Sequence, residues 1–178
     1  MDLHKIAVKF FFEQPAKAEL KLFVPIFHRW IQKSTLPGTL IDVADYAHLP
    51  QSPGVVLVAH EAILMIDETE GPRGLLYIRK TPLAGTLTPR CEAVLRAGLQ
   101  ACALLEQEPD LKGLKFKAGE AWVLSNDRLA APNSVEAFAA LQPALSEAAK
   151  AVWGGSVELV RDTRDVRTRL TLRMKRAR

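Results

Sequence analysis

Residues 39–80 read TLIDVADYAHLPQSPGVVLVAHEAILMIDETEGPRGLLYIRK, and this stretch decides the fold. Four runs, 39–44, 55–60, 62–67 and 74–80, have the length and the Val, Ile, Leu and Tyr content of strands. Pro53-Gly54 and the turn-rich 68–73 segment punctuate them. Connections this short leave no room for a crossover helix, so the runs form an antiparallel meander.

Upstream, Ile6, Val8, Phe10 and Phe12 alternate with Lys5, Ala7, Lys9 and Phe11, the period of a strand with one buried face. Between residues 16 and 33, Leu20, Phe23, Val24, Phe27 and Ile31 have helical spacing; Pro25 predicts a kink, and Leu36-Pro37-Gly38 ends the element. Downstream, Thr88 as N-cap and Pro89 open a helix to about Gln107, with Cys91, Val94, Leu95, Gly98, Cys102 and Leu105 on one face. A strand over 114–124, with Gly119 as a bulge, leads through the 126–132 loop. Asn133 and Glu136 have capping-box spacing before a third helix, whose stripe is Phe138, Leu141, Leu145, Ala148 and Val152 and which stops at Gly154-Gly155. Strands over 157–161 and 166–175 complete the pattern. The order predicts one α+β domain over 1–178, with three helices on one side of a largely antiparallel sheet. A ferredoxin-like arrangement is expected, single or doubled, with halves at about 1–85 and 110–178.

The chain has 178 residues, 48% of them hydrophobic and 25% charged, which excludes disordered and collagen-like classes. Its net charge of +4 is unevenly spread: residues 161–178 carry eight basic groups against Asp162 and Asp165, leaving the remainder near −2. Lys5 and Lys9 interrupt the first apolar run, so no signal peptide is expected, and no apolar stretch approaches the ~20 residues that span a bilayer. Cys91 and Cys102 lie eleven residues apart on one helix, roughly 16 Å along its axis, too far for a disulfide. They read as buried thiols in a reducing cytoplasm.

Imidazole and carboxylate groups suited to acid–base or metal chemistry concentrate in His28, Asp42, Asp45, His48, His60 and Glu61, near Arg29, Trp30 and Tyr46. No regular register brings them together, and turn bonds or half-buried packing account for each. No metal-ligand pattern, nucleophile elbow, dinucleotide fingerprint or P-loop is present, and no metal or cofactor is expected. Asn126, Asp127 and Arg128 form a second polar run that could hold a ligand; turn and cap chemistry explains it without one and is the preferred reading. On the last strand Arg167, Arg169, Arg173 and Lys175 would share one face, an anion-binding stripe or a solvated, edge-protecting one. That face lacks the aromatic pair of sheet-based RNA readers, so nucleic acid is not expected.

The strings Phe27-His28-Arg29-Trp30-Ile31-Gln32, Leu36-Pro37-Gly38, Ile41-Asp42-Val43-Ala44-Asp45-Tyr46, Pro53-Gly54, His60-Glu61, Gly74-Leu75-Leu76-Tyr77, Asn126-Asp127-Arg128-Leu129 and Ala131-Pro132-Asn133 together resemble a family of uncharacterised bacterial proteins of similar length. The resemblance covers most of the chain and implies a bacterial, cytoplasmic, single-domain protein; it carries no activity. The apolar Ala62-Ile63-Leu64-Met65 that follows His60-Glu61 departs from the more polar or aromatic character expected there. The expected function is non-enzymatic small-ligand binding or self-association, as a homodimer. The alternatives are an acid–base or metal-assisted enzyme built on residues 42–61, and anion or nucleic-acid binding by the final strand.

Overall fold

The computed structural model describes residues 3–13, 18–49, 52–69, 71–165 and 167–177. In chain order the elements are β1 (Ile6–Phe12), a 3-10 turn at Leu20–Leu22, α1 (Phe23–Lys33), β2 (Leu40–Asp45), β3 (Val55–Ala59), β4 (Ala62–Asp67) and β5 (Gly74–Arg79). They continue with α2 (Leu87–Glu106), a 3-10 turn at Pro109–Leu111, β6 (Phe116–Ser125), α3 (Val135–Trp153), β7 (Val157–Arg161) and β8 (Thr171–Arg176). The strands form one eight-stranded sheet in the order β2-β3-β4-β5-β1-β6-β8-β7, every neighbouring pair antiparallel. This is the α+β class expected.

Each half of the sheet is built by the same move. From the central strand β1 the chain crosses through α1 to one edge and returns by the meander β2 to β5. From its neighbour β6 it crosses through α3 to the other edge and returns by β7 and β8. An even number of antiparallel steps makes β1 parallel to β2 and β6 parallel to β7, and parallel strands require such crossovers. β6-α3-β7, with β8 inserted, is a split β-α-β unit of the kind found in ferredoxin-like folds.

The helices lie on one face. α1 packs on β2 and β3, α2 on β1 and β5, and α3 on β7 and α2. Ile6, Val8, Phe10 and Phe12 join the large core beneath them, as the alternation predicts. Gly98 sets the height of α2: a Cβ there would fall 2.7 Å from the Phe10 ring and 2.9 Å from Val8 Cγ1. The opposite face carries a small buried cluster of Ala7, Leu76 and Leu124, flanked by Met65, Ile78 and Trp122.

Lys9 corrects the sequence reading. Alternation puts it on the phase opposite the buried one, yet it is fully buried, and its Nζ donates to Asp67 Oδ2 at 2.6 Å. Asp67 Oδ1 in turn accepts from the Thr69 backbone and hydroxyl, so the ion pair ties the centre of the sheet to the start of the β4–β5 loop. Burial pushes the Asp67 carboxyl up, but the bonds from Lys9 and Thr69 and the Lys9 charge outweigh it, and its pKa lies below the ordinary aspartate value.

Several boundaries also move. Ala16 and Lys17 lie outside the described residues, and Pro25 is the third residue of α1, where the missing N–H costs no intrahelical bond and the expected kink has no cause. Trp30 is core, 2% exposed. Thr86, not Thr88, occupies the N-cap of α2; Thr88 Oγ1 instead donates to Glu147 Oε2 at 3.2 Å. Ser134, not Asn133, caps α3, accepting from the Ala137 N–H. Asn133 is buried and accepts from Arg161 at 2.8 Å. The irregular β1–β6 register falls between Phe116 and Ala121, the segment that contains Gly119.

Removing one member of a buried ion pair strands the other charge, whereas replacing both with apolar groups does not. Asp67→Ala is therefore expected to lower unfolding free energy by about 3–5 kcal/mol. Lys9→Met/Asp67→Leu should recover most of that loss, as measured by urea denaturation at neutral pH. In the wild type, the share of stability owed to Asp67 ionisation is complete above the unfolded aspartate pKa and disappears as pH falls through the lower folded value.

Candidate small-molecule site

The six-residue polar cluster does not converge. The β2–β3 register puts Asp45 opposite Val55 at one end of the hairpin and Leu40 opposite Ala59 at the other. Asp45 and His48 are thus about 15 Å of strand away from His60 and Glu61. Asp45 Oδ1 accepts from the Ala47 N–H at 2.9 Å, and His48 is exposed in the following turn. Asp42 Oδ1 accepts from the Val43 N–H at 2.8 Å on the edge strand. His28 lies on the exposed side of α1, opposite the buried Ile26, Phe27 and Trp30. Among the described residues, no group of three or more His, Cys, Asp or Glu could hold a metal ion.

The other two candidate groups resolve into local structure. Asn126 Oδ1 accepts from Arg169, Asp127 Oδ1 accepts from the Ala130 N–H at 3.1 Å, and Arg128 is exposed, a turn leading towards α3. β8 starts at Thr171 and Val166 lies outside the described residues, so Arg167 and Arg169 sit in the β7–β8 loop and the four-charge stripe does not form. Arg167 pairs with Asp165 at 3.1 Å, and Lys175 lies 3.6 Å from Glu120. Arg173 donates to Asp162 at 3.0 Å and covers the Trp122 ring at 5.4 Å. Arg164 and Arg173 together hold the Asp162 carboxyl far below the usual carboxylate range. The cations of residues 164–175 are largely engaged by the chain's own acceptors.

One member of the cluster, Glu61, does reach a cavity. Because α1 covers β2 and β3 while α2 covers β1 and β5, β4 lies between the two helices. Above it is a cavity of about 330 Å³. Its floor is Ala62 and Leu64 of β4 with Tyr77 of β5, and one wall is Leu36-Pro37-Gly38 and Leu40. The other wall is α2, which contributes Ala93 and Ala97, one turn apart, and Gln100 one turn further. Ala59 and Leu83 complete the apolar lining. Space exists here because the inward positions of two strands and one helix carry alanine.

Two charges stand in the lining. Glu61 Oε2 accepts from the Thr39 N–H at 3.2 Å. Bonds from its own backbone N–H and from Thr39, helped by the charges of His60 and Arg79, hold the carboxyl below the ordinary glutamate value. Gly38 makes this approach possible: its φ is +93°, and a Cβ would lie 2.5 Å from Glu61 Oε2. Arg79, opposite Ala62 in the β4–β5 register, donates from Nε to the Thr81 carbonyl at 3.0 Å. Among the described residues its two terminal nitrogens have no acceptor, and it does not ion-pair with Glu61.

A second cleft, between α1 and the turn after α2, is closed chemically by its own groups. Glu108 accepts from Trp30 Nε1 and from Arg29, both at 2.6 Å. Neither cysteine lines either cleft. Burial pushes the Cys91 thiol up to about 12 and the Cys102 thiol well above its ordinary value. Among the described residues no helix is long and apolar enough to cross a membrane. Compared with known proteins, the chain matches no family model, no curated protein and no solved structure.

Two outcomes follow. Gly38→Ala forces a left-handed alanine against the Glu61 carboxylate and should cost about 1–2 kcal/mol in thermal or urea unfolding. In the native protein at pH 8 neither thiol should react with a thiol-specific chromogenic disulfide on the timescale of minutes, and both should react at once in denaturant.

Proposed function

We propose that the protein binds a small, mainly apolar molecule in the cavity between α1 and α2, without transforming it. The observation that carries this reading is the cavity itself: about 330 Å³, walled by leucine, alanine and tyrosine, with Glu61, Arg79 and Gln100 as its few polar groups. Small-molecule sites have this composition and begin at about 300 Å³. Acid–base chemistry finds less support, since Glu61 has no second carboxylate or imidazole beside it in the lining.

The expected cytoplasmic placement is supported by two free, buried thiols. The expected homodimer would form more readily through the helix-free sheet face, where Met65 and Ile78 are half-buried, than along β2, whose Val43 N–H is already occupied by Asp42.

The reading is tested by titrating the protein with 1-hexanol and following methyl resonances. Leu36, Leu64 and Leu83 signals should shift saturably, with those of Leu145 and Leu172 unmoved. Ala97→Trp, which fills the cavity from its exposed wall, should abolish the shifts while leaving the melting temperature within a few degrees. Uniform shifts across the core, or shifts that survive Ala97→Trp, would refute it.

A further inference from the structure

We infer that the cavity selects a zwitterion: a free α-amino acid with a large apolar side chain, its carboxylate on Arg79, its ammonium on Glu61 and its side chain over Leu64. The inference rests on the cavity being a ligand site and adds the chemistry of the ligand.

Two opposite charges in the lining are not bonded to each other. Glu61, immediately before β4, and Arg79, the last residue of β5, line the same cavity and feel each other's charge, yet no hydrogen bond or ion pair joins them among the described residues. Opposite charges in one lining can pair with each other unless each is held elsewhere. Here each is held: Glu61 by the Thr39 N–H on one side, and Arg79 by the Thr81 carbonyl through Nε. What remains free on each is directional. A carboxylate offers about four lone-pair sites, of which Thr39 and the Glu61 N–H use part, and a guanidinium anchored by Nε still presents both terminal nitrogens. Two N–H groups in a fixed fork match a carboxylate bidentately. An ionised glutamate oxygen matches an ammonium.

A ligand of one charge would engage one of these groups and gain nothing from the other. A zwitterion satisfies both. Gln100, whose amide both donates and accepts, can serve either end.

Size and shape set the rest. A cavity of about 330 Å³ lies at the lower end of the range for small-molecule sites, which suits a ligand as small as a single amino acid. The floor and walls away from the charges are Leu36, Leu40, Leu64, Tyr77, Val94 and Ala97, so the body must be apolar. The Glu61 carboxylate in the lining disfavours a phosphate.

The experiment is calorimetric or NMR titration of the full chain with four probes: L-leucine, its deamino analogue 4-methylpentanoate, its decarboxy analogue 3-methylbutylamine, and neutral 1-hexanol. L-leucine should bind about tenfold or more tightly than either singly charged analogue, the worth of one charge-assisted hydrogen bond. Arg79→Gln should erase the preference over 3-methylbutylamine without weakening the amine. Glu61→Gln should erase the preference over 4-methylpentanoate. L-leucine binding no tighter than 4-methylpentanoate would show a monoanion site and overturn the inference, and parity with 3-methylbutylamine would overturn it from the other side. If 1-hexanol binds in the cavity and L-leucine gains nothing, only the zwitterion claim fails. If neither 1-hexanol nor L-leucine binds there, the cavity reading fails with it. The probe comparison is made on the wild type, so it stands even where a variant folds poorly.

Discussion

Eight strands cannot be covered by three helices. At about 4.8 Å per strand the sheet is about 38 Å wide, whereas three helices packed about 10 Å apart roof roughly 30 Å. Some strand must go without a helix, and the packing determines which one. α2 is drawn onto β1 by the missing side chain at Gly98 and packs against α3, which leaves the space between α2 and α1, above β4. A gap of this kind is usually filled by large side chains. Here alanines at positions 59, 62, 93 and 97 leave it open, and the ends of β4 and β5 carry a carboxylate and a guanidinium to its lining.

The helix-free face meets the same shortage of cover by another route. Its centre, with β1 buried along its whole length, holds an ion pair beside the small apolar cluster of Ala7, Leu76 and Leu124. Lys9 and Asp67 draw in the β4–β5 loop through Thr69, and Gly71 of that loop lies against the Trp122 ring. Phe11 meets Trp122 edge-on at 5.0 Å, and Arg164 and Arg173 of the C-terminal segment close over its ring. Much of the C-terminal basicity behind the net charge is thereby engaged, by Asp162, Asp165, Glu120 and an indole ring.

The architecture was legible because its signals are local and periodic. The 39–80 meander appears with β4 where expected and its neighbours within one residue, and the three helices follow the turn and capping residues that flank them. Caps slipped where two polar residues competed, as Ser134 did with Asn133, because only tertiary partners such as Arg161 decide which one turns inward. Lys9 was misread because alternation assigns a face without saying whether that face is covered. The cavity was out of reach for a related reason. Glu61 stands out in the sequence among the polar residues of 42–61, but Arg79 lies eighteen residues on and is brought to the same lining only by the β4–β5 register, which sets Arg79 opposite Ala62. The signal that existed was faint: Arg79 continues the inward phase of Leu75 and Tyr77, and Ala93 and Ala97 share one side of a helix.

The central claim is that the gap above β4 is a cavity kept open to receive a ligand rather than a packing fault that closes in solution. Crystals pressurised with xenon test it most directly, since xenon occupies stable apolar cavities and leaves collapsed ones unmarked. The account predicts xenon density between Leu64 and Ala97, with Leu36 and Leu83 unmoved. Leu36 and Leu83 folded into the space, with no xenon bound there, would contradict it.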